Sequence, residues 1–110
     1  MDREKAHDTM NFFIEKLLYT SLNVDKVVLF GSCSQGSFST DSDIDIAVIS
    51  GDFAGKSLVQ RIELIREAEI STIKRCRVPL DIVTLTPEEF ASENSLVSSF
   101  ARQGIVLYAA

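Results

Sequence analysis

The sequence contains little cysteine and histidine, which excludes two common classes of small protein. Its 110 residues include two cysteines and one histidine. Cys33 and Cys76 are too few for the disulfide framework of a small secreted domain, and with His7 they do not form a zinc-binding set. We therefore expect both cysteines to be free thiols in a reducing environment.

Long apolar runs are also absent from the sequence. No stretch approaches the ~20 consecutive apolar residues that a membrane-spanning helix needs. The N-terminal residues 1–5 are mostly charged and contain no apolar core of the signal-peptide type. These features predict a protein without a membrane segment, located in the cytoplasm.

Positive charge is scarce, with 11 Lys and Arg residues against 16 Asp and Glu residues and a net charge of −5. Proteins that bind nucleic acid obtain much of their affinity from basic side chains that neutralise phosphates, so direct nucleic-acid binding is not expected. The length predicts a single domain over residues 1–110. A core this small favours an open cleft or one completed by a partner, and a homo-oligomer is an alternative.

The spacing of apolar residues predicts an alternation of helices and strands. The predicted helices cover residues 5–22, 56–74 and 86–104. The predicted strands cover residues 27–30, 44–49, 80–85 and 105–108. In the second helix Leu58, Ile62, Ile65 and Ile73 form an apolar stripe that Glu69 interrupts. The predicted fold class is α/β (α+β), a small mixed β-sheet flanked by helices.

A Gly-Ser turn follows the first predicted strand. Gly31 comes directly after an apolar run, where a glycine lets the backbone approach a ligand. The amides that follow can point at a phosphate. An ordinary strand-ending turn is the alternative interpretation.

Two aspartates open the second predicted strand. Asp43 and Asp45 are two residues apart, so in a strand their side chains share one face while Ile44 and Ile46 face the core. Adjacent carboxylates repel unless a cation lies between them, and Mg²⁺ is commonly bound by one or two carboxylates together with phosphate oxygens and water. Any half-solvated strand would show the same alternation, which leaves that alternative open.

A third aspartate lies within the third predicted strand. Asp81 interrupts an apolar run, and a buried charge there is costly unless it is compensated. Three strand-borne carboxylates can supply the shared ligands of two metal ions that bridge phosphates. The alternative is an edge strand with Asp81 facing water.

Together these residues resemble the nucleotidyltransferase superfamily, which includes DNA polymerase β and the minimal nucleotidyltransferases. The shared pattern is strand-Gly-Ser, ten residues, Asp-x-Asp on the next strand, and a third acidic residue on a later strand. Here it is formed by Gly31-Ser32, residues 33–42, Asp43-Ile44-Asp45 and Asp81. The resemblance covers residues 26–85 and implies the nucleotidyltransferase fold.

The resemblance also implies an enzyme that moves a nucleotidyl group, with ATP as the expected donor of AMP, to a hydroxyl of a protein or small molecule. Asp43 and Asp45 would hold two Mg²⁺ ions, and Asp81 would ligate the ion that activates the acceptor hydroxyl and take its proton. Its nucleotide-binding residues would be Gly31, Ser32, Gly36 and Ser42.

The turn departs from the family pattern in one respect. Many members carry an arginine just before the second glycine, where this chain has Gln35, and residues 31–42 contain no Lys or Arg. Charge-assisted contacts to phosphate are worth about 1–3 kcal/mol each. Their loss favours the alternative function, a weak or inactive module that binds and neutralises a partner protein.

Stand-alone domains of this size resemble the antitoxins of bacterial HEPN/MNT toxin–antitoxin pairs, whose partner is a small helical HEPN-type ribonuclease. That resemblance implies adenylylation of a tyrosine of the toxin. Phosphatases with an aspartate nucleophile also use Asp-x-Asp, but their pair stands where an apolar strand ends. Here the apolar run of residues 44–49 continues beyond the pair, so this class is not expected.

Overall fold

The structure, a computed structural model, describes residues 2–36 and 43–110, apart from the side chain of Ser32. Its helices are α1 (Arg3–Leu18), α2 (Leu58–Cys76), α3 (Pro87–Ala91) and α4 (Leu96–Arg102), with two short 3₁₀ helices at Ser32–Gln35 and Gly51–Phe53. Its strands are β1 (Lys26–Phe30), β2 (Ile44–Ile49), β3 (Leu80–Leu85) and β4 (Ile105–Ala109). All four predicted strands are confirmed, with ends that shift by one residue at most. No helix in the described ranges is long and apolar enough to cross a membrane.

The strands form one mixed sheet in the order β3-β2-β1-β4. Strand β1 pairs antiparallel with both β2 and β4. Strands β2 and β3 are parallel, and α2 makes the crossover between them, as parallel neighbours require. The predicted fold class, a small mixed sheet flanked by helices, is confirmed.

Apolar side chains cover both faces of this sheet. On one face α1 and α2 pack over the strands, and Phe13, Ile46 and Ile65 lie in that core. On the other face α3 and α4 contribute Phe90 and Ala101 to a smaller cluster. Strand β2 is therefore buried on both sides, which explains its nearly continuous apolar sequence.

The third predicted helix, over residues 86–104, is wrong as one continuous element. It starts as predicted, because Thr86 accepts a hydrogen bond from the amide of Glu89, but α3 ends at Ala91 and Ser92 is extended. A second helix then begins with Ser95, whose side chain accepts from the amide of Ser98 at 3.2 Å. Serine side chains compete with helical hydrogen bonds by bonding nearby backbone, and this accounts for the break.

The predicted apolar stripe of α2 is only partly the buried face. Leu58, Ile62 and Ile73 are 68%, 41% and 38% exposed, whereas Ile65 is buried. The rest of the buried face consists of Ala68 and Thr72, small residues that bring the helix close to α1 and the sheet. Volume at the packing contact, which apolar periodicity does not measure, decides which side of α2 faces the core.

Candidate functional site

Gly31 follows directly after β1 and begins the segment that leads to β2, the strand that carries Asp45. Its φ of 74° lies in the left-handed region, which glycine adopts without strain. A Cβ at this position would overlap Oδ2 of Asp45 and lie 3.0 Å from its Cγ. The backbone of the Gly-Ser turn therefore packs directly against the Asp45 carboxyl group, and only glycine leaves room for it.

The short 3₁₀ helix after Gly31 is held by local hydrogen bonds. Both the hydroxyl and the amide of Ser34 donate to the carbonyl of Gly31, at 2.7 and 3.2 Å. Cys33 is buried, and its Sγ lies 3.7 Å from the carbonyl oxygen of Asp43, to which it donates. The thiol thus ties the turn to the start of β2, a positional role for Cys33 that the sequence did not indicate.

Parallel pairing places two of the predicted acidic residues side by side. Asp45 of β2 and Asp81 of β3 are register partners, and Phe30 of β1 stands opposite Asp45 on its other side. Because side chains alternate along a strand, Asp45 shares a face with Ala47 and not with the deeply buried Ile46. The pair therefore opens onto the face of the sheet that carries α3 and α4.

Burial raises the pKa of Asp45 above its usual value, and the neighbouring carboxyl group of Asp81 raises that pKa further by repulsion and by hydrogen bonding. Repulsion from Asp43 acts in the same direction and is the weakest of these effects. Asp43 itself is exposed and stands just before β2. A site that crowds negative charge in this way favours a cation or a proton.

The residues present fit a magnesium ion in part. Two carboxylates side by side, one with a raised pKa, suit Mg²⁺, which completes its coordination with water and phosphate oxygens. Within the described ranges, however, no three His, Cys, Asp or Glu side chains converge closely enough to hold a metal by themselves. The structure thus brings Asp45 and Asp81 together and leaves Asp43 beside them, exposed to solvent.

Asp81 lies at an exposed edge of the sheet and also beside Asp45. Strand β3 lies at an edge of the sheet, and Asp81 is exposed, as the edge-strand alternative requires. The same residue is the register partner of Asp45. An accessible carboxylate next to a half-buried one is a geometry that a substrate and a hydrated ion can both reach.

A fourth carboxylate, Glu69 of α2, interacts with Asp81. Burial raises its pKa, repulsion from Asp81 raises it further, and the Arg66 guanidinium opposes both effects. The only sequence signal was that Glu69 interrupts an apolar stripe, which is weak because half-buried glutamates are common on helices.

A basic side chain also reaches the turn, although residues 31–42 contain none. Nη2 of Arg3, from the first turn of α1, lies 3.8 Å from where a Cβ on Gly36 would stand. Gly36 has a φ of 85° and ends the short helix. Long-range packing of α1 brings this charge there, so no local motif could have revealed it.

A cavity of about 360 Å³ opens between the turn and α4. It is lined by Phe30, Gly31, Ser34, Gln35, Phe100 and Gln103. A larger cavity, of about 570 Å³, lies between α1 and the end of α2 and contains none of the motif residues. The smaller one shares Gly31 with the aspartate pair, and this continuity makes it the more relevant of the two.

The remaining predicted site residues have different positions. Gly36 lies at the far end of the turn, on the side of α1. Ser42 and the side chain of Ser32 lie outside the described part of the chain. Their predicted contacts with a nucleotide stay predictions.

Comparison with known proteins agrees with this geometry. Residues 13–110 match the family model described as polymerase beta, nucleotidyltransferase. Comparison with curated proteins gives no match. A solved protein from Sulfolobus solfataricus that was assigned to the nucleotidyltransferases superposes with a TM-score of 0.67 at 15% identity, over 99% of this chain and 90% of that one. At this identity the likeness concerns the fold.

Two further structures are similar to this chain. A toxin–antitoxin structure with AMP-PNP has a TM-score of 0.59 and 26% identity, over 89% of this chain and 72% of that one. The BolA domain of SufE1 from Arabidopsis thaliana has a TM-score of 0.50 and 26% identity, over 74% and 94%. Because the family model spans nearly the whole chain and the Gly-Ser and aspartate motif lies within the match, the chain belongs to the polymerase β nucleotidyltransferase family.

Proposed function

We propose that this domain is a magnesium-dependent nucleotidyltransferase that moves AMP from ATP to a hydroxyl group of a partner protein. The observation that carries the proposal is the packing of Gly31 against the carboxyl group of Asp45, with Asp81 as its neighbour. A triphosphate held at the turn would lie next to two carboxylates. An ion shared by phosphate and carboxylate oxygens would relieve the repulsion between them.

The reaction requires a hydroxyl oxygen to attack the α-phosphorus while the bond to the pyrophosphate oxygen breaks. Bound Mg²⁺ would neutralise charge on the phosphates. Asp45, half-buried against Gly31, would orient the triphosphate. Asp81, exposed at the sheet edge, would take the proton of an acceptor hydroxyl that approaches from solvent. Positioning and electrostatics would supply most of the rate enhancement.

The acceptor that we propose is a tyrosine of a small HEPN-type toxin, with this domain as its antitoxin. Support comes from the similarity to a structure described as a toxin–antitoxin with AMP-PNP, an ATP analogue. Further support comes from apolar side chains that stay more than a third exposed along α2, which a partner protein would cover. These residues are Val59, Ile62, Ile70 and Ile73, and we call them the exposed α2 patch, as distinct from the predicted apolar stripe.

A second function is favoured by one observation. Residues 31–42 contain no Lys or Arg, and Arg3 is the basic side chain that the structure places beside Gly36. With less positive charge at the turn, triphosphate binding would be weak. The domain would then neutralise its partner by contact alone, without nucleotidyl transfer.

Calorimetric titration with each nucleoside triphosphate, with and without Mg²⁺, separates the two functions. We expect saturable, magnesium-dependent heat with ATP, and its loss in the Asp43→Asn/Asp45→Asn double variant. Asp8→Asn, an exposed aspartate on α1, is the matched control and should bind as the parent does. Absence of heat in the parent protein would leave the contact-only function.

The transfer step has its own test. The native partner, recovered by co-purification, is incubated with the protein, ATP and Mg²⁺, and intact-mass spectrometry follows the gain of one adenylyl group. We expect Asp43→Asn to abolish this gain with the fold retained, because removal of one charge lowers the repulsion around Asp45. An Asp43→Asn variant that transfers at the parent rate would contradict a metal-binding role for Asp43.

A further inference from the structure

We propose that the cavity between the Gly31 turn and α4 is the nucleobase subsite of this active site, with the Phe100 ring as its stacking platform. This inference rests on the proposed function, since it concerns where the nucleotide's base lies. It adds a binding residue on α4, an element outside the Gly-Ser and Asp-x-Asp motif.

The position of the cavity supports a continuous nucleotide site. Gly31 belongs both to the aspartate site and to the cavity, because it packs against Asp45 and also lines the cavity. The volume of about 360 Å³ falls within the range of about 300–1,000 Å³ that is typical of small-molecule sites. A nucleotide whose phosphates lie at the aspartate pair can therefore extend its base toward α4.

The chemistry of the cavity walls suits a neutral, flat, polar-edged group. No charged side chain belongs to the described lining, so the walls do not match a phosphate or a carboxylate. Phe100 offers an aromatic face that is 53% exposed in the free protein. Gln35, Gln103 and Ser34 offer neutral hydrogen-bond donors and acceptors. An aromatic face beside carboxamides is the arrangement that recognises nucleobases.

The fold holds this platform in place before any ligand binds. Ala101, the next residue along α4, is buried against the sheet, which directs Phe100 outward. The Arg102 guanidinium donates to the carbonyls of Phe90 and Ser92 at 2.6 and 2.8 Å and thereby ties α4 to α3. The hydroxyl of Ser98 adds a bond of 2.6 Å to the carbonyl of Glu89. A ring on an anchored helix loses little freedom on binding.

The chain contains no tryptophan, which allows a direct optical test. The variant Phe100→Trp carries a single indole in the cavity, and stacking on a base should quench its emission. We expect saturable quenching with ATP and Mg²⁺ and none with inorganic tripolyphosphate and Mg²⁺, which has the phosphates but no base. Leu96→Trp is the control, because Leu96 lies on the same helix, 72% exposed and outside the cavity lining.

Binding of the parent protein and of Phe100→Ala gives the energetic test. We expect the affinity of Phe100→Ala for magnesium-ATP to fall about tenfold to a hundredfold, while its affinity for tripolyphosphate stays unchanged. The variant Phe100→Tyr, which keeps an aromatic ring, should bind magnesium-ATP nearly as well as the parent.

Equal affinity for magnesium-ATP in the parent and in a folded Phe100→Ala variant would overturn the subsite, even where the parent binds magnesium-ATP and the proposed function stands. If that variant instead loses the partner protein, Phe100 is a protein contact and the subsite is again overturned. If the parent binds neither ATP nor tripolyphosphate, the proposed function fails and the subsite fails with it.

Discussion

At the scale of single residues, the candidate site depends on one close contact. Gly31 has a φ of 74°, and the space that a Cβ would need is taken by the carboxyl group of Asp45. The same carboxyl group is crowded by Asp81 and has a raised pKa. Backbone shape and electrostatics are therefore coupled at this point, since whatever moves the Asp45 side chain also changes its distance from Asp81.

Gly31→Ala should reduce both stability and nucleotide binding. The left-handed φ alone costs an alanine about 1–2 kcal/mol, and the added methyl group must also push the Asp45 carboxyl group out of place. Thermal unfolding measures the first effect and calorimetry with magnesium-ATP the second. Gly55→Ala is the control, because Gly55 has the same φ of 74° and no atom lies within 4 Å of the position that its Cβ would take. If both variants bind ATP equally well, the contact with Asp45 has no role in binding.

Asp45→Asn should stabilise the metal-free protein at neutral pH. Burial and the neighbouring Asp81 raise the folded-state pKa of Asp45 above its usual value of 3.8, so ionisation of this carboxyl group opposes folding as the pH rises above 3.8. The gain over the parent should therefore appear at pH 7 and vanish at a pH below 3.8, where the carboxyl is protonated in both states. Urea unfolding across pH measures it, and a gain that persists in acid would contradict this origin. Added Mg²⁺ should stabilise the parent and not the variant.

At the scale of elements, the β2–α2–β3 unit and the break between α3 and α4 shape the site. The crossover through α2 makes β2 and β3 parallel neighbours and so aligns Asp45 with Asp81. The break after Ala91 lets α4 pack on β1 beside the turn. An ion pair between Arg61 of α2 and Glu89 of α3, at 2.6 Å, connects the elements on the two faces of the sheet.

Glu89→Gln should lower stability at neutral pH by less than about 1 kcal/mol, since the Glu89 side chain is 44% exposed. The hydrogen bond from Arg61 is the main reason that the pKa of Glu89 lies below its usual value of 4.5. A lowered folded-state pKa gives stability that is present above 4.5 and is lost as the pH falls through the lower value. The difference between parent and variant, measured by urea unfolding, should therefore close in acid. Glu88→Gln, at the exposed neighbouring residue, is the control, because it keeps the ion pair between Arg61 and Glu89.

At the scale of the whole molecule, the exposed apolar surface points to a partner. The exposed α2 patch lies on the side of that helix that faces away from the core, and it consists of Val59, Ile62, Ile70 and Ile73. The net charge of −5 disfavours nucleic acid as the partner. A protein surface with apolar residues is the partner that this side of the helix fits.

Ile70→Ser/Ile73→Ser should weaken retention of the native partner by at least about tenfold, because apolar contacts in the middle of an interface carry most of its affinity. Affinity for magnesium-ATP should stay at the parent value, since neither residue lines the cavity beside the Gly31 turn. Pull-down of the partner and calorimetry on the same samples give both readouts. Tyr19→Ser is the control, because Tyr19 caps the C-terminal end of α1 and is 80% exposed. Undiminished retention in the double variant would place the partner elsewhere.

The sequence by itself determined the strands, most of the helices and the family. The mainly apolar runs of residues 27–30, 44–49, 80–85 and 105–108 suffice for the strands, because short runs rich in β-branched residues are a local signal. The helix start at Thr86 was equally local, since a capping box needs only neighbouring residues. The spacing of Gly31-Ser32 and Asp43-Ile44-Asp45 identified the family motif for the same reason.

Only the tertiary structure decided which of these residues meet. Strand order and register set Asp81 beside Asp45, and that pairing depends on contacts between residues far apart in sequence. Packing volume turned the small residues of α2 inward beside Ile65 and left Ile62 and Ile73 exposed, against the predicted stripe. The same long-range packing brought Arg3 to Gly36 and Phe100 to the cavity. A linear pattern records what each residue prefers locally, whereas the site is formed by contacts that exist only once the sheet and its helices have assembled.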